Sequence, residues 1–150
     1  MPDEFDLDAF LPYRLNRAAE LVSLRFARRY RDRYGMTRPQ WRTLALLGSN
    51  GRLTATAIGA LSTMHKTKIS RAVRALEERH WLKRSPDQND RRIEHLELTP
   101  SGRRAYEDIA RLAGEYEAEL RAVLGRTTLG ALDKGLDRVI AALGPASNKG

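Results

Sequence analysis

Between Lys66 and Arg74 the chain places Lys66, Thr67, Lys68, Ser70, Arg71 and Arg74, with His65 directly before them. The carboxylates of this stretch, Glu77 and Glu78, come only after the cations. Such a set suits recognition rather than bond breaking. An arginine fork can bond guanine O6 and N7 together, while Ser and Thr bond bases or phosphates alike. Cations crowded at the start of a helix and acids held back to its end are what a groove-reading helix needs. An amphipathic helix with a merely solvated basic face is the plainer reading of the same residues.

A second stretch follows at once: SPDQNDRR, residues 85 to 92. Two arginines side by side suit a phosphate or a narrow groove, yet two aspartates stand beside them. Asp90 and Arg92 are two residues apart, near enough to pair, so that Asp90 holds Arg92 and Arg91 is presented outward. Asp87 is expected to bond backbone amides in the turn. On this reading the acids give up some attraction and gain a fixed loop shape. A loop of solvated charges, worth almost nothing energetically, is the alternative.

The elements that must position these residues can be read from period and punctuation. Leu11, Leu15, Ala18, Val22, Phe26 and Tyr30 give residues 10–34 one helical apolar face. Leu21 and Leu24 fall on another side, where a partner subunit is one candidate. Gly35 ends this helix, and Thr37 with Gln40 has capping-box spacing for the next, with Trp41, Leu44 and Leu47 toward a core. GSNG at 48–51 reads as a turn. Thr54 caps a short helix to Leu61, with Ala57, Ile58 and Leu61 as its buried positions. STMH then leads into a helix from Lys66 to His80 with Ile69, Val73 and Leu76 inside. Residues 81–84 and 93–99 read as strands of a β-hairpin around SPDQNDRR. Thr99 and Pro100 open a long helix carrying Ala105, Ile109, Leu112, Tyr116, Leu120 and Val123, and Gly125 stops it. Thr127 or Thr128 caps the last helix, whose apolar face is Leu129, Leu132, Leu136, Ile140 and Leu143. The fold class is mainly α with a small β-hairpin (α+β). The tail at 145–150 reads as disordered.

Composition narrows the function classes. The net charge of the 150 residues is +8 and the pI about 10.3. From Met64 to Arg104 there are eleven Lys and Arg against six Asp and Glu, so the segment just described carries most of the surplus. That placement points to a polyanionic partner, nucleic acid before a membrane surface. With no cysteine there is no disulfide framework, zinc finger or thiol switch. No apolar run is long enough to span a membrane and the N-terminus is acidic, so a soluble, cytoplasmic protein without a membrane partner is expected. The three histidines, 65, 80 and 95, lie on different elements without a metal-spaced carboxylate cluster, and no nucleophile elbow or phosphate loop is present. Catalysis, a catalytic residue set and a metal or cofactor are therefore not expected.

A reading helix followed by a two-stranded hairpin is the winged helix-turn-helix arrangement, and here the chain resembles the MarR family of bacterial regulators. Ile69-Ser70-Arg71, Leu76-Glu77, Asp87 to Arg92, and Leu98-Thr99 with Gly102 match its pattern, and the flanking helices sit where the family has them. One departure is His80, where the family often has Gly. The resemblance implies a DNA-binding lobe at 37–99 and dimerisation helices at 10–34 and 100–144. It implies a homodimeric transcription factor, usually a repressor, on a palindromic double-stranded operator. DNA contacts would come from His65, Lys66, Thr67, Lys68, Ser70, Arg71 and Arg74 and from the wing residues Asp90, Arg91 and Arg92. His65 reads equally as a helix cap. The resemblance further implies a small aromatic or phenolic acid, or a related thioester, as effector. Tyr13, Arg14, Arg17, Trp41 and Tyr106 are candidates to line its cleft; ordinary packing and surface roles fit each as well. A sequence-independent architectural DNA-binding protein is the rival reading.

Overall fold

The protein is described over residues 4–145 by a computed structural model. The tail expected to be disordered lies, from residue 146 on, outside the described residues. A short 3-10 turn at Leu7–Ala9, capped by Asp6, precedes α1 (Leu11–Tyr34). Gly35 closes α1 in the left-handed conformation, φ 64°, with its N–H donating to the Arg31 carbonyl at 2.7 Å. Thr37 and Gln40 then form a reciprocal capping box for α2 (Arg38–Asn50).

The turn expected at GSNG is corrected. Gly48, Ser49 and Asn50 are helical, and the chain turns only at Gly51, φ 76°. Gly48 serves contact instead of bending: a Cβ there would come within 2.3 Å of the Tyr106 ring. Asn50 keeps the last turn intact by donating its side-chain amide to the Leu46 carbonyl at 2.9 Å. Helix α3 (Ala55–Ser62) starts at Thr54, whose hydroxyl accepts from the Ala57 amide at 3.1 Å. Only Ile58 of its three expected core positions is fully buried, and Leu61 is 56 % exposed. Eight residues make barely two turns, and the buried stripe is correspondingly narrow.

Helix α4 (Lys66–Glu78) buries Ile69, Ala72, Val73 and Leu76. It stops short of the expected His80, because His80 itself is left-handed, φ 60°. The backbone there has the conformation that glycine adopts most cheaply, so the departure from glycine carries strain. Thr63, φ 58°, plays the same part before α4, in the turn that lacks a glycine.

Strands β1 (Leu82–Pro86) and β2 (Glu94–Leu98) pair antiparallel, from Leu82 opposite Leu98 to Pro86 opposite Glu94. The hairpin thus runs past Ser85 and Pro86, and the loop is 87–93. Leu53 adds one unforeseen rung on β2, with bonds of 3.0 and 2.7 Å to Leu96. A single residue of strand carries no periodicity to detect. Helix α5 (Pro100–Leu124) begins at Thr99, whose Oγ1 accepts from the Gly102 amide at 3.1 Å and donates to the His80 carbonyl at 2.6 Å. Gly102 is dictated by contact, since a Cβ would stand 2.0 Å from the Trp81 carbonyl oxygen. Gly125 alone separates α5 from α6 (Arg126–Leu143). The expected Thr127 or Thr128 cap is therefore absent: Gly125 is the cap residue, and both threonines lie within the first turn.

The chain forms two compact units, Met1–Leu112 and Ala113–Gly150, divided within α5. In the first, Leu44, Leu47, Ile58, Leu76, Leu96 and Ile109 are buried to 2 % or less. Each such side chain contributes about 1.5–3 kcal/mol of transfer free energy. Phe26, Tyr30 and Trp41 add an aromatic cluster with ring centroids 5.4–5.9 Å apart. In the second, α6 has no buried residue, and Leu132, Leu136, Ile140 and Leu143 lie exposed. No described helix is long and apolar enough to cross a membrane.

Candidate nucleic-acid interface

Burying Ile69, Ala72, Val73 and Leu76 decides what α4 shows to solvent. The helical period puts Thr67, Arg71, Arg74 and Glu78 on the side opposite the core. All four are exposed. Lys66 and Ser70 fall on the flank toward the hairpin and Lys68 on the flank toward α1 and α2. His65 caps the helix, its Nδ1 accepting from the Thr67 amide at 3.3 Å. The partial positive charge of a helix N-terminus thus lies among Lys66, Thr67 and Lys68, where an anion is favoured. Lys66, Lys68 and Arg71 make no ion pair among the described residues. Arg74 Nε meets Glu78 at 3.3 Å, but both side chains are more than two-thirds exposed, so the pair holds little energy against a competing ligand.

The wing loop is held from within. Asp87 Oδ2 accepts from the amides of Asn89 and Asp90, each at 3.0 Å. Its Oδ1 lies 2.8 Å from His95 Nε2 on β2. The His95 ring first, then the two amides, hold the Asp87 carboxyl below the usual carboxylate range. Asp90 Oδ1 accepts from the Arg92 amide at 3.0 Å and from Arg92 Nε at 3.3 Å. The Asp90–Arg92 contact expected from spacing is therefore formed. With Arg92 91 % exposed, the backbone bond does more to shape the loop than the ion pair. Arg91 is exposed and without a partner among the described residues. Spacing alone left out His95, eight residues beyond Asp87; the strand register places it at the base of the loop.

At the base of the hairpin, Arg84 Nε donates to Glu77 Oε2 of α4 at 2.8 Å and Arg84 Nη1 to Glu94 Oε2 of β2 at 3.1 Å. Arg84 is paired with Leu96 across the strands, so it shares the face that Leu82 and Leu96 bury. Strand alternation could have put Arg84 and Glu94 on one face; nothing local links either to Glu77.

The effector-pocket candidates separate into three places. Tyr13, Arg14 and Arg17 line a shallow depression on α1 with Asp8, Ala18 and Leu21. Trp41 packs edge-on to Phe26, about 20 Å further along α1 by helical rise. Tyr106 lies over Gly48, with Arg103 5.4 Å from its ring and its hydroxyl 3.2 Å from Ser49 Oγ. A larger cleft of about 540 Å³ opens elsewhere, lined by Leu24, Arg31, Arg38, Arg42, Met64 and Lys68, with His65 and Thr63 at the start of α4. It is strongly cationic. Arg38 is held by both Glu20 oxygens, at 2.8 and 3.1 Å. Spacing alone does not single out its arginines, because three helices and a turn assemble the cleft. Among the described residues no cluster of three or more His, Asp or Glu could hold a metal.

Comparison with known proteins agrees with this geometry. The model of the MarR family matches residues 36–93. The chain is 30% identical over 91 residues to the HTH-type transcriptional regulator FarR of Neisseria gonorrhoeae, covering 61% of this chain and 62% of that one. It is 27% identical over 112 residues to the uncharacterised HTH-type regulator YwoH of Bacillus subtilis (strain 168), covering 75% and 80%. It superposes with a TM-score of 0.76 on NadR, solved in complex with 4-hydroxyphenylacetate, at 27% identity over 93% of this chain and 97% of NadR. The segment at 36–93 thus matches the MarR family, and the chain is similar to HTH-type transcriptional regulators.

Proposed function

We propose that the protein is a homodimeric repressor of a palindromic operator, released by a small aromatic or phenolic acid. The observation that carries the reading is the outward row Thr67, Arg71 and Arg74 beside an internally braced wing. Helix α4 would lie in the major groove, with Lys66, Lys68, Ser70 and His65 at its edges. The wing would place Arg91 in the adjacent minor groove, where a narrow, negative slot attracts a long cation. Asp90 and Arg92 would shape the loop that presents it.

A second copy is needed because one helix reads only a few base pairs; two copies about 34 Å apart read a palindrome. The uncovered apolar stripe of α6 supports association with a second copy, and so, separately, do the exposed Leu11, Leu15, Leu21 and Leu24 of α1. The cationic cleft supports an acidic effector: Arg31 and Arg42 can take a carboxylate, and Met64 and Leu24 a ring. Because Lys68 and His65 line the same cleft, an occupant would compete with their approach to DNA. NadR holds a ligand of this class, 4-hydroxyphenylacetate.

Selection of bound duplexes from a random pool tests the reading. A two-fold symmetric motif with half-sites one helical turn apart is expected, bound about 10³-fold or more above random duplex. Equal retention of unrelated duplexes would make the protein an architectural DNA coat instead. A thermal-shift screen of aromatic acids and their thioesters checks the effector, since a ligand of the folded state raises the melting temperature.

A further inference from the structure

Arg84 lies in the basic hairpin, where each cation invites assignment to a phosphate. Its surroundings argue otherwise. It sits on the face of β1 that carries the buried Leu82, and it is paired with the buried Leu96. Two carboxylates from two different elements take its guanidinium: Glu77 on α4 at 2.8 Å and Glu94 on β2 at 3.1 Å. A planar fork that meets two acids at fixed angles constrains orientation in a way a lysine does not. The hairpin is also held by the short connection through Trp81, the rung at Leu53, the Arg52–Ser85 hydrogen bond at 3.2 Å and the buried Leu82 and Leu96. Among the described residues, Arg84 is the one hairpin side chain that makes a hydrogen bond or ion pair to α4.

We propose that Arg84 is a positioning residue for DNA binding: a strut that sets the angle between the reading helix and the wing by bridging Glu77 and Glu94. The inference rests on the DNA-binding reading above and adds what aligns its two contacts. Simultaneous engagement of a major and a minor groove requires that angle to be set before binding; a loose wing must be ordered at the moment of contact, which costs affinity. The strut adds no net positive charge to the interface, because its own charge is already met by two acids.

Charge and geometry make opposite predictions here. Arg84→Ala should weaken binding to the selected operator about tenfold and binding to random duplex much less, with the salt slope unchanged. The double variant Glu77→Gln with Glu94→Gln removes two negative charges near DNA, yet should also lose operator affinity. In the free protein, hydrogen exchange of hairpin amides should speed up in both variants, while α1 and α2 keep their protection and confirm folding. A salt slope reduced by about one in Arg84→Ala would make Arg84 a phosphate contact and overturn the strut. Tighter binding of all duplexes by the double variant, or unchanged hairpin exchange, would overturn it equally. Wild-type protein without operator preference would sink the DNA-reading proposal instead, and the exchange measurement would still decide whether Arg84 holds the hairpin.

Discussion

Arg71 is the plainest candidate for base readout, because it stands on the outermost side of α4, exposed and with no ion pair among the described residues. Arg71→Ala is expected to cost about 1–3 kcal/mol on the operator and to relax preference at one base position in each half-site, measured by competition titration. Equal losses on operator and random duplex would reassign it to the backbone. His80 invites a change in the other direction. A non-glycine residue at φ 60° carries a cost of about 1–2 kcal/mol, and its exposed ring makes no hydrogen bond among the described residues. His80→Gly should therefore raise unfolding free energy by about 1 kcal/mol in denaturant titration, once the extra flexibility of unfolded glycine is set against the relief. The His80 departure was legible as a letter that did not fit, while the source of its cost, the left-handed backbone, is a property of the turn and is not written in the residue.

At the scale of the element, the wing shows how far spacing can be read. Asp90 with Arg92, and Asp87 with the turn amides, follow from local chemistry at two and three residues' separation. His95 completes the set only through the hairpin register, and Glu77 meets Arg84 only through tertiary packing. Asp90→Ala should weaken operator binding although it removes a negative charge, because the Arg92 amide loses its acceptor; filter or anisotropy titration would show it. Tighter binding would mean that Asp90 merely repels DNA. The same limit explains the helix errors. GSNG has turn composition, but Gly48 is there to admit the Tyr106 ring, and a glycine spent on contact looks the same in sequence as one spent on bending. Caps were legible at Thr37, Thr54 and Thr99, where a side chain reaches its own α-helix; the Asp6 cap of the short 3-10 turn was not. The α5–α6 junction was not, because a single left-handed-side glycine, φ 85°, leaves no room for a capping threonine.

For the whole molecule, electrostatics should dominate both binding and acid stability. Operator affinity is expected to fall by about 0.9 log units per decade of salt for each phosphate neutralised. A flat response would remove the electrostatic reading of the +8 charge. Acid stability turns on the junction of α1 and α5. Asp108 accepts from the Tyr34 hydroxyl and from Arg33 and Arg111, and the Tyr34 bond first, then the arginines, lower its carboxyl to about 2. A depressed folded-state value contributes stability that is complete above the ordinary carboxylate range and is lost as pH falls from about 4 toward about 2. With Arg33 half exposed, solvent screening limits this to about 1 kcal/mol. Asp108→Asn should flatten that part of an acid-unfolding curve followed by circular dichroism. One last consequence comes from Thr63 and His80, the two left-handed residues that bracket α4. They act as stops at both ends, so the helix can neither grow nor slide by a residue. Its rotational phase is locked, and letters at 67, 71 and 74 can be exchanged, changing the word that is read while the reader stays in frame.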